Sequence, residues 1–131
     1  MAKLTRTNPP GVHKPFSNYS HVVTADAAQR LVFCAGQVAA DASGNVIPPD
    51  DFNAQAAMVM DNLEKALAGG GATFADVTKV TIYIVNPHDV AKARGILSTY
   101  FGDKPPASTL CVLRGLANPN FLVEVEAIAA V

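Results

Sequence analysis

Tryptophan is absent from these 131 residues, and cysteine occurs only twice. Cys34 and Cys111 stand in apolar runs far apart in the sequence. With no secretory signal ahead of them, buried free thiols fit better than a disulfide. No apolar run approaches the roughly 20 residues a membrane-spanning helix needs. Charge is scarce too: 16% of residues are charged and the formal net charge is −1. That leaves no basic footprint for nucleic acid or an anionic membrane surface, and the expected setting is the cytoplasm. The three histidines, His13, His21 and His88, are scattered, and none pairs with a cysteine or acid at ligand spacing, so no metal is expected. No Gly-x-Ser-x-Gly elbow occurs. Gly69-Gly70-Gly71 follows a helical pattern rather than opening one, which reads as a helix terminator rather than a phosphate cradle.

What the chain has in excess is apolar residues, half of the total. A domain of this size has a high surface-to-volume ratio, so a surplus of apolar side chains points to a buried contact between subunits. No repeat, low-complexity stretch or linker divides it, and residues 1–131 read as one domain.

Two helices are expected. Ala56, Met60, Leu63 and Leu67 recur at helical spacing before the glycine triplet. The second helix opens at Asn86-Pro87 and carries Val90, Leu97 and Phe101 to a stop at Gly102. Strands are expected over 19–24, 30–35, 77–85, 108–114 and 121–129, with the segment before Ser17 extended and irregular. Leu31 to Ala35 is expected to be buried on both faces. The order ββαβαββ suits an α+β mixed sheet with both helices on one face. The other sheet face then needs a cover, which self-association would supply.

Two departures from good patterning mark candidate functional residues. Glu124 and Glu126 share a strand face with Leu122 and Ile128. They are either solvated edge-strand carboxylates or partly buried groups with raised pKa values, suited to acid–base work. Arg94 falls on the helical stripe of Val90, Leu97 and Phe101. It either snorkels from the stripe edge or offers a bidentate clamp for a carboxylate.

Cys34-Ala35-Gly36-Gln37, the run from Asp76 to Tyr83, Pro105-Pro106-Ala107 and Val123-Glu124-Val125-Glu126-Ala127-Ile128-Ala129 together resemble the reactive intermediate deaminase family, RidA/YjgF, also called L-PSP. The resemblance extends from about Tyr19 to Ala129. It implies a chorismate-mutase-like fold and a homotrimer with three clefts between subunits. It also implies hydrolysis of 2-aminoacrylate or its imine tautomers to 2-ketoacids and ammonia without a cofactor. Glu124 matches the family glutamate that positions a water, Tyr19 the tyrosine that closes the cleft, and Gly36 the glycine whose backbone lines it. The arginine that grips the substrate carboxylate falls on Ser108, so the chain resembles an arginine-less branch. A neighbouring cysteine position falls on Leu110, or a one-residue shift brings Cys111 there. Arg94 stands where an asparagine is typical, and is expected to supply the missing cation beside Ser108. Aminomuconate-type deaminases are similar proteins. The alternatives are a non-enzymatic trimer binding a small carboxylate or metabolite and, last, an endoribonuclease.

Overall fold

In the computed structural model, which describes residues 2–131, the chain runs β1 (Lys3–Thr7), β2 (Val22–Asp26), β3 (Leu31–Gln37), α1 (Phe52–Gly69), β4 (Val77–Ile84), α2 (Val90–Phe101), β5 (Ala107–Val112) and β6 (Val123–Ala130). Short 3-10 turns precede β4 and α2. β3, β6, β4 and β5 form the main sheet in that order, with β4–β5 parallel and the other two pairings antiparallel. β1 and β2 form a separate antiparallel ribbon. Ser20 ties the start of that ribbon to β5 through a bridge to Ala107 and a hydroxyl hydrogen bond to the Pro105 carbonyl (2.7 Å).

Local chemistry fixes the helix ends. The Asp51 carboxylate accepts the Ala54 N–H (2.9 Å) and so satisfies one free donor at the start of α1. Gly71, at φ +77°, lets the chain reverse while Ala72 N–H reaches back to the Leu67 carbonyl (2.9 Å). Before α2, the Asn86 side chain accepts the His88 N–H with Pro87 at the first position of the turn.

The core lies between the helices and one face of the sheet. Val59, Met60, Leu63 and Leu67 of α1 pack with Val80, Ile82 and Ile84 of β4 and Val123 and Val125 of β6, all fully or almost fully buried. Burying each such side chain contributes about 1.5–3 kcal/mol. Gln55, also fully buried, pins the approach to β6. It donates to the Asn120 carbonyl (2.7 Å) and accepts the Leu122 N–H (2.8 Å).

Three expectations need correction. The N-terminal segment is not wholly irregular, since Lys3–Thr7 pairs with Val22–Asp26 and adds a strand before the expected order. Its exposed-intermediate alternation is too short and too polar to register as a strand in sequence. The strand expected over 19–24 begins at Val22, leaving Tyr19 in the loop before it. The run from Leu31 to Ala35 is buried on one face only within a single chain. Val32 and Cys34 point to the helices, while Leu31 and Phe33 are 55% and 70% exposed. Beside them on the same open face lie Ile128, Glu126 and Glu124 of β6 and Lys79, Thr81 and Tyr83 of β4, all half-buried.

Candidate functional site

Strand register divides the expected site residues between the two faces of the sheet. Ser108 pairs with Val80 and Leu110 with Ile82, so both point to the helix side. Cys111 pairs with Tyr83 and points to the open face. Leu110 therefore shares a face with Ser108, and Cys111 does not.

On the helix side, Tyr19, Arg94, Leu97, Ser108 and Leu110 line a cavity of about 190 Å³ with Phe16 at its mouth. The loop that carries Tyr19 is strapped in place. Asn18 donates to the Gly102 carbonyl (2.8 Å), and the Tyr19 hydroxyl accepts the Phe16 N–H (3.3 Å). The buried stripe of α2 consists of Ala93, Ile96, Leu97 and Phe101, so Arg94 lies at its margin, exposed, rather than within it. No carboxylate pairs with Arg94 among the described residues. The cavity thus offers the Arg94 guanidinium, the hydroxyls of Ser17 and Ser108 and the Tyr19 phenol around an apolar floor. That donor set suits a small carboxylate.

On the open face, Glu124 stands opposite Tyr83 in the β4–β6 register, and Glu126 stands two residues along. The Tyr83 hydroxyl donates to Glu126. The backbone of Gly36 passes so close to Glu124 that a Cβ at position 36 would overlap the carboxylate. Burial first, and the neighbouring Glu126 charge second, raise the Glu124 pKa above its ordinary 4.5. The hydrogen bond to Glu126 holds the Tyr83 proton more tightly than in a free phenol. Tyr83, Glu124, Glu126, Leu113 and Leu116 line a shallow depression of about 370 Å³. Farther along the same face the Lys79 ammonium donates to the Thr109 hydroxyl (2.5 Å), and desolvation lowers its pKa.

One chain therefore brings Tyr19, Arg94, Ser108 and Leu110 together, and Gly36 with Glu124, but it does not join the two groups. Sequence reasoning missed Tyr83 and Phe16. The alternation of Lys79, Thr81 and Tyr83 put Tyr83 on a polar face, but its place opposite Glu124 depends on a pairing of residues some 40 positions apart. Phe16 sat in a segment read only as irregular. Among the described residues, no three of His, Cys, Asp and Glu gather as a metal-binding group, and no helix is long and apolar enough to cross a membrane.

The arrangement has counterparts. The family described as Endoribonuclease L-PSP matches residues 11–131. A RutC family protein of Pyrococcus abyssi is 34% identical over 116 residues, 88% of each chain. A crystal structure of a protein of unknown function from the conserved Rid family of Yersinia pestis superposes with a TM-score of 0.87 at 34% identity, covering 98% of both chains. A YjgF-type family member of Mycobacterium tuberculosis superposes at 0.68 with 27% identity, covering 98% of this chain and all of its own. With its fold, its closing glutamate strand and nearly its whole length accounted for, the chain belongs to the RidA/YjgF family, described as Endoribonuclease L-PSP.

Proposed function

We propose that this protein hydrolyses the C=N bond of small imino or enamino acids, without a cofactor, in clefts between the subunits of a cytoplasmic homotrimer. The observation that carries this reading is the division of the chemistry. The carboxylate-binding donors, Arg94 and Ser108, lie on the helix side of the sheet, and the paired carboxyls Glu124 and Glu126 lie on the other. Neither half is a complete site for an imino acid. A second copy seated on the open face would cover Leu31 and Phe33 and close the gap between the halves.

In this reading Arg94 and Ser108 hold the substrate carboxylate, Tyr19 and Phe16 close the cleft, and the Gly36 backbone lines it beside the reacting carbon. Ionised Glu124 orients a water against the C=N carbon and takes its proton as the C–O bond forms. Protonated Glu124 then returns that proton to the nitrogen. Glu124 then takes the hydroxyl proton of the resulting carbinolamine and passes it to the departing nitrogen as the C–N bond breaks, which gives a ketoacid and ammonia and restores the ionised carboxylate. A carboxyl with a raised pKa suits both directions of this transfer.

A second reading is a trimer that binds a small carboxylate or metabolite without turnover. Ser108 at the position of the family's gripping arginine favours it, because a single exposed Arg94 anchors less firmly than a guanidinium built into the strand. The family description names an endoribonuclease, but a net charge of −1 gives RNA no electrostatic footprint.

The deciding experiment generates 2-aminoacrylate in place with a serine dehydratase and follows loss of trappable imine. Clearance by wild type that vanishes in Glu124→Ala supports the deaminase. Clearance only by Ser108→Arg means that the scaffold survives but the natural ligand differs. Silence from all three, with ketoacid binding retained, supports the binding trimer.

A further inference from the structure

On the open face, Tyr83, Glu126 and Glu124 form a cluster that the mechanism above uses only in part. We infer that Tyr83 and Glu126 are positioning residues for Glu124: the phenol anchors the Glu126 carboxylate, and that fixed negative charge keeps Glu124 a strong enough base to hold the water's proton. This rests on the deaminase reading for its chemistry, though not for its geometry.

Three relationships carry it. Glu124 and Glu126 are alternate residues of one strand, so both carboxylates rise from the same sheet face within a common depression. Tyr83 sits directly across from Glu124, yet its hydroxyl reaches along the sheet to Glu126 and leaves Glu124 free of any side-chain partner among the described residues. Gly36 contributes backbone only, closing over the Glu124 carboxylate from β3. The hydrogen bond thus marks one acid as held and the other as available. A held carboxylate beside an available one favours the protonated form of the latter, as the direction of the Glu124 pKa also indicates.

Few other charged or titratable groups face Glu124. Tyr83 comes from β4 and Cys111 stands beyond it on β5. β3 offers only Gly36 and Ala35 there, and the loop after β5 lines the depression with Leu113, Gly115, Leu116 and Ala117. Lys79 is occupied by Thr109 toward the other end of the face. Among the described residues, Glu126 is the carboxylate that shares this depression with Glu124.

The chain has three glutamates, Glu64, Glu124 and Glu126, so carboxyl-labelled glutamate gives three NMR signals, with Glu64 on the surface of α1 as an internal reference. Glu126→Gln is expected to move the Glu124 titration to lower pH, and Glu126→Asp, which keeps the charge, to leave it near the wild-type position. Tyr83→Phe is expected to shift the Glu126 signal while Glu64 stays still. Where 2-aminoacrylate is turned over, the acid limb of kcat should follow Glu124 downward in Glu126→Gln, with kcat about three- to tenfold lower. An unmoved Glu124 titration in Glu126→Gln, in protein of native circular dichroism and sedimentation, would overturn the inference. So would an unmoved Glu126 signal in Tyr83→Phe. Expected titrations without any wild-type turnover would sink the deaminase reading and leave the positioning of Glu124 standing.

Discussion

The backbone of Gly36 and the carboxylate of Glu124 occupy space that no side chain at position 36 could share. The glycine is required here by close approach rather than by backbone angle, because its φ lies outside the left-handed region. Gly36→Ala should therefore push the Glu124 carboxyl out of place while leaving the fold intact. Turnover, or ketoacid binding in the absence of turnover, is expected to fall by about tenfold or more, a cost typical of a displaced reacting group. The midpoint of thermal unfolding should move by only a few degrees, as for a strand position where alanine is otherwise favoured over glycine by about 0.5–1 kcal/mol. Parallel calorimetry and activity measurements on the variant check both halves.

Stability should depend on pH through Glu124. Its folded pKa is raised above the ordinary 4.5, first by burial and then by Glu126. Between the unfolded and folded pKa values the native state binds more protons than the unfolded state, so stability declines as pH rises through that window. Below the window both states are protonated and the residue is neutral in effect. Glu124→Gln should match wild type in acid and become the more stable protein above the window. Denaturant titrations of both proteins across acid to neutral pH test this, and a constant difference at all pH values would contradict it.

Carboxylate affinity should rest on the helix side of the sheet. Arg94→Ala removes the guanidinium that lines the cavity. A charge-assisted contact contributes about 1.5–3 kcal/mol, so Kd for a short 2-ketoacid should rise by about ten- to a hundredfold. Arg94→Lys should recover only part of this, because an ammonium lacks the planar fork. Isothermal titration reads the effect directly, and equal affinity in Arg94→Ala would move the carboxylate elsewhere.

The entry to β6 depends on one amide. Gln55 holds the Asn120 carbonyl and the Leu122 N–H in a fully buried position. Gln55→Leu would remove both hydrogen bonds and the one to the Ile47 carbonyl (3.1 Å), at a cost of about 1–3 kcal/mol. Because Leu122 leads straight into the strand of Glu124, hydrogen exchange at residues 120–124 should quicken more than across β3. Urea unfolding and exchange measurements test the two parts together.

The helices and the inner strands were legible because their periodicities are long and clean. Leu63 and Leu67 at a four-residue step, and Val80, Ile82 and Ile84 at a two-residue step, declare a helix face and a strand face without any neighbour. The glutamate strand was legible too, since Glu124 and Glu126 interrupt an otherwise apolar run. What stayed hidden was pairing. Whether Ser108 and Leu110 face the helices or the open side depends on how β5 lies along β4, and no local signal sets that register. Arg94 looked embedded in a stripe because Val90 and Leu97 flank it at helical spacing. The helix is rotated to bury Ala93 and Ile96 instead, a choice made by the sheet beneath it. Lys3–Thr7 escaped notice because a five-residue ribbon strand with one half-buried leucine carries almost no hydrophobic pattern.

The placement of Glu124 and Arg94 on opposite faces has a genetic consequence. If each cleft takes its acid from one copy and its cation from the next, the two defects are complementary. Chains carrying Glu124→Ala and chains carrying Arg94→Ala, each defective alone, would share intact clefts when unfolded and reassembled together. Random mixing in equal parts would pair a sound acid with a sound cation in about a quarter of the clefts. Function returning from two broken genes would mean that the working unit of this protein is the seam between chains rather than the chain itself.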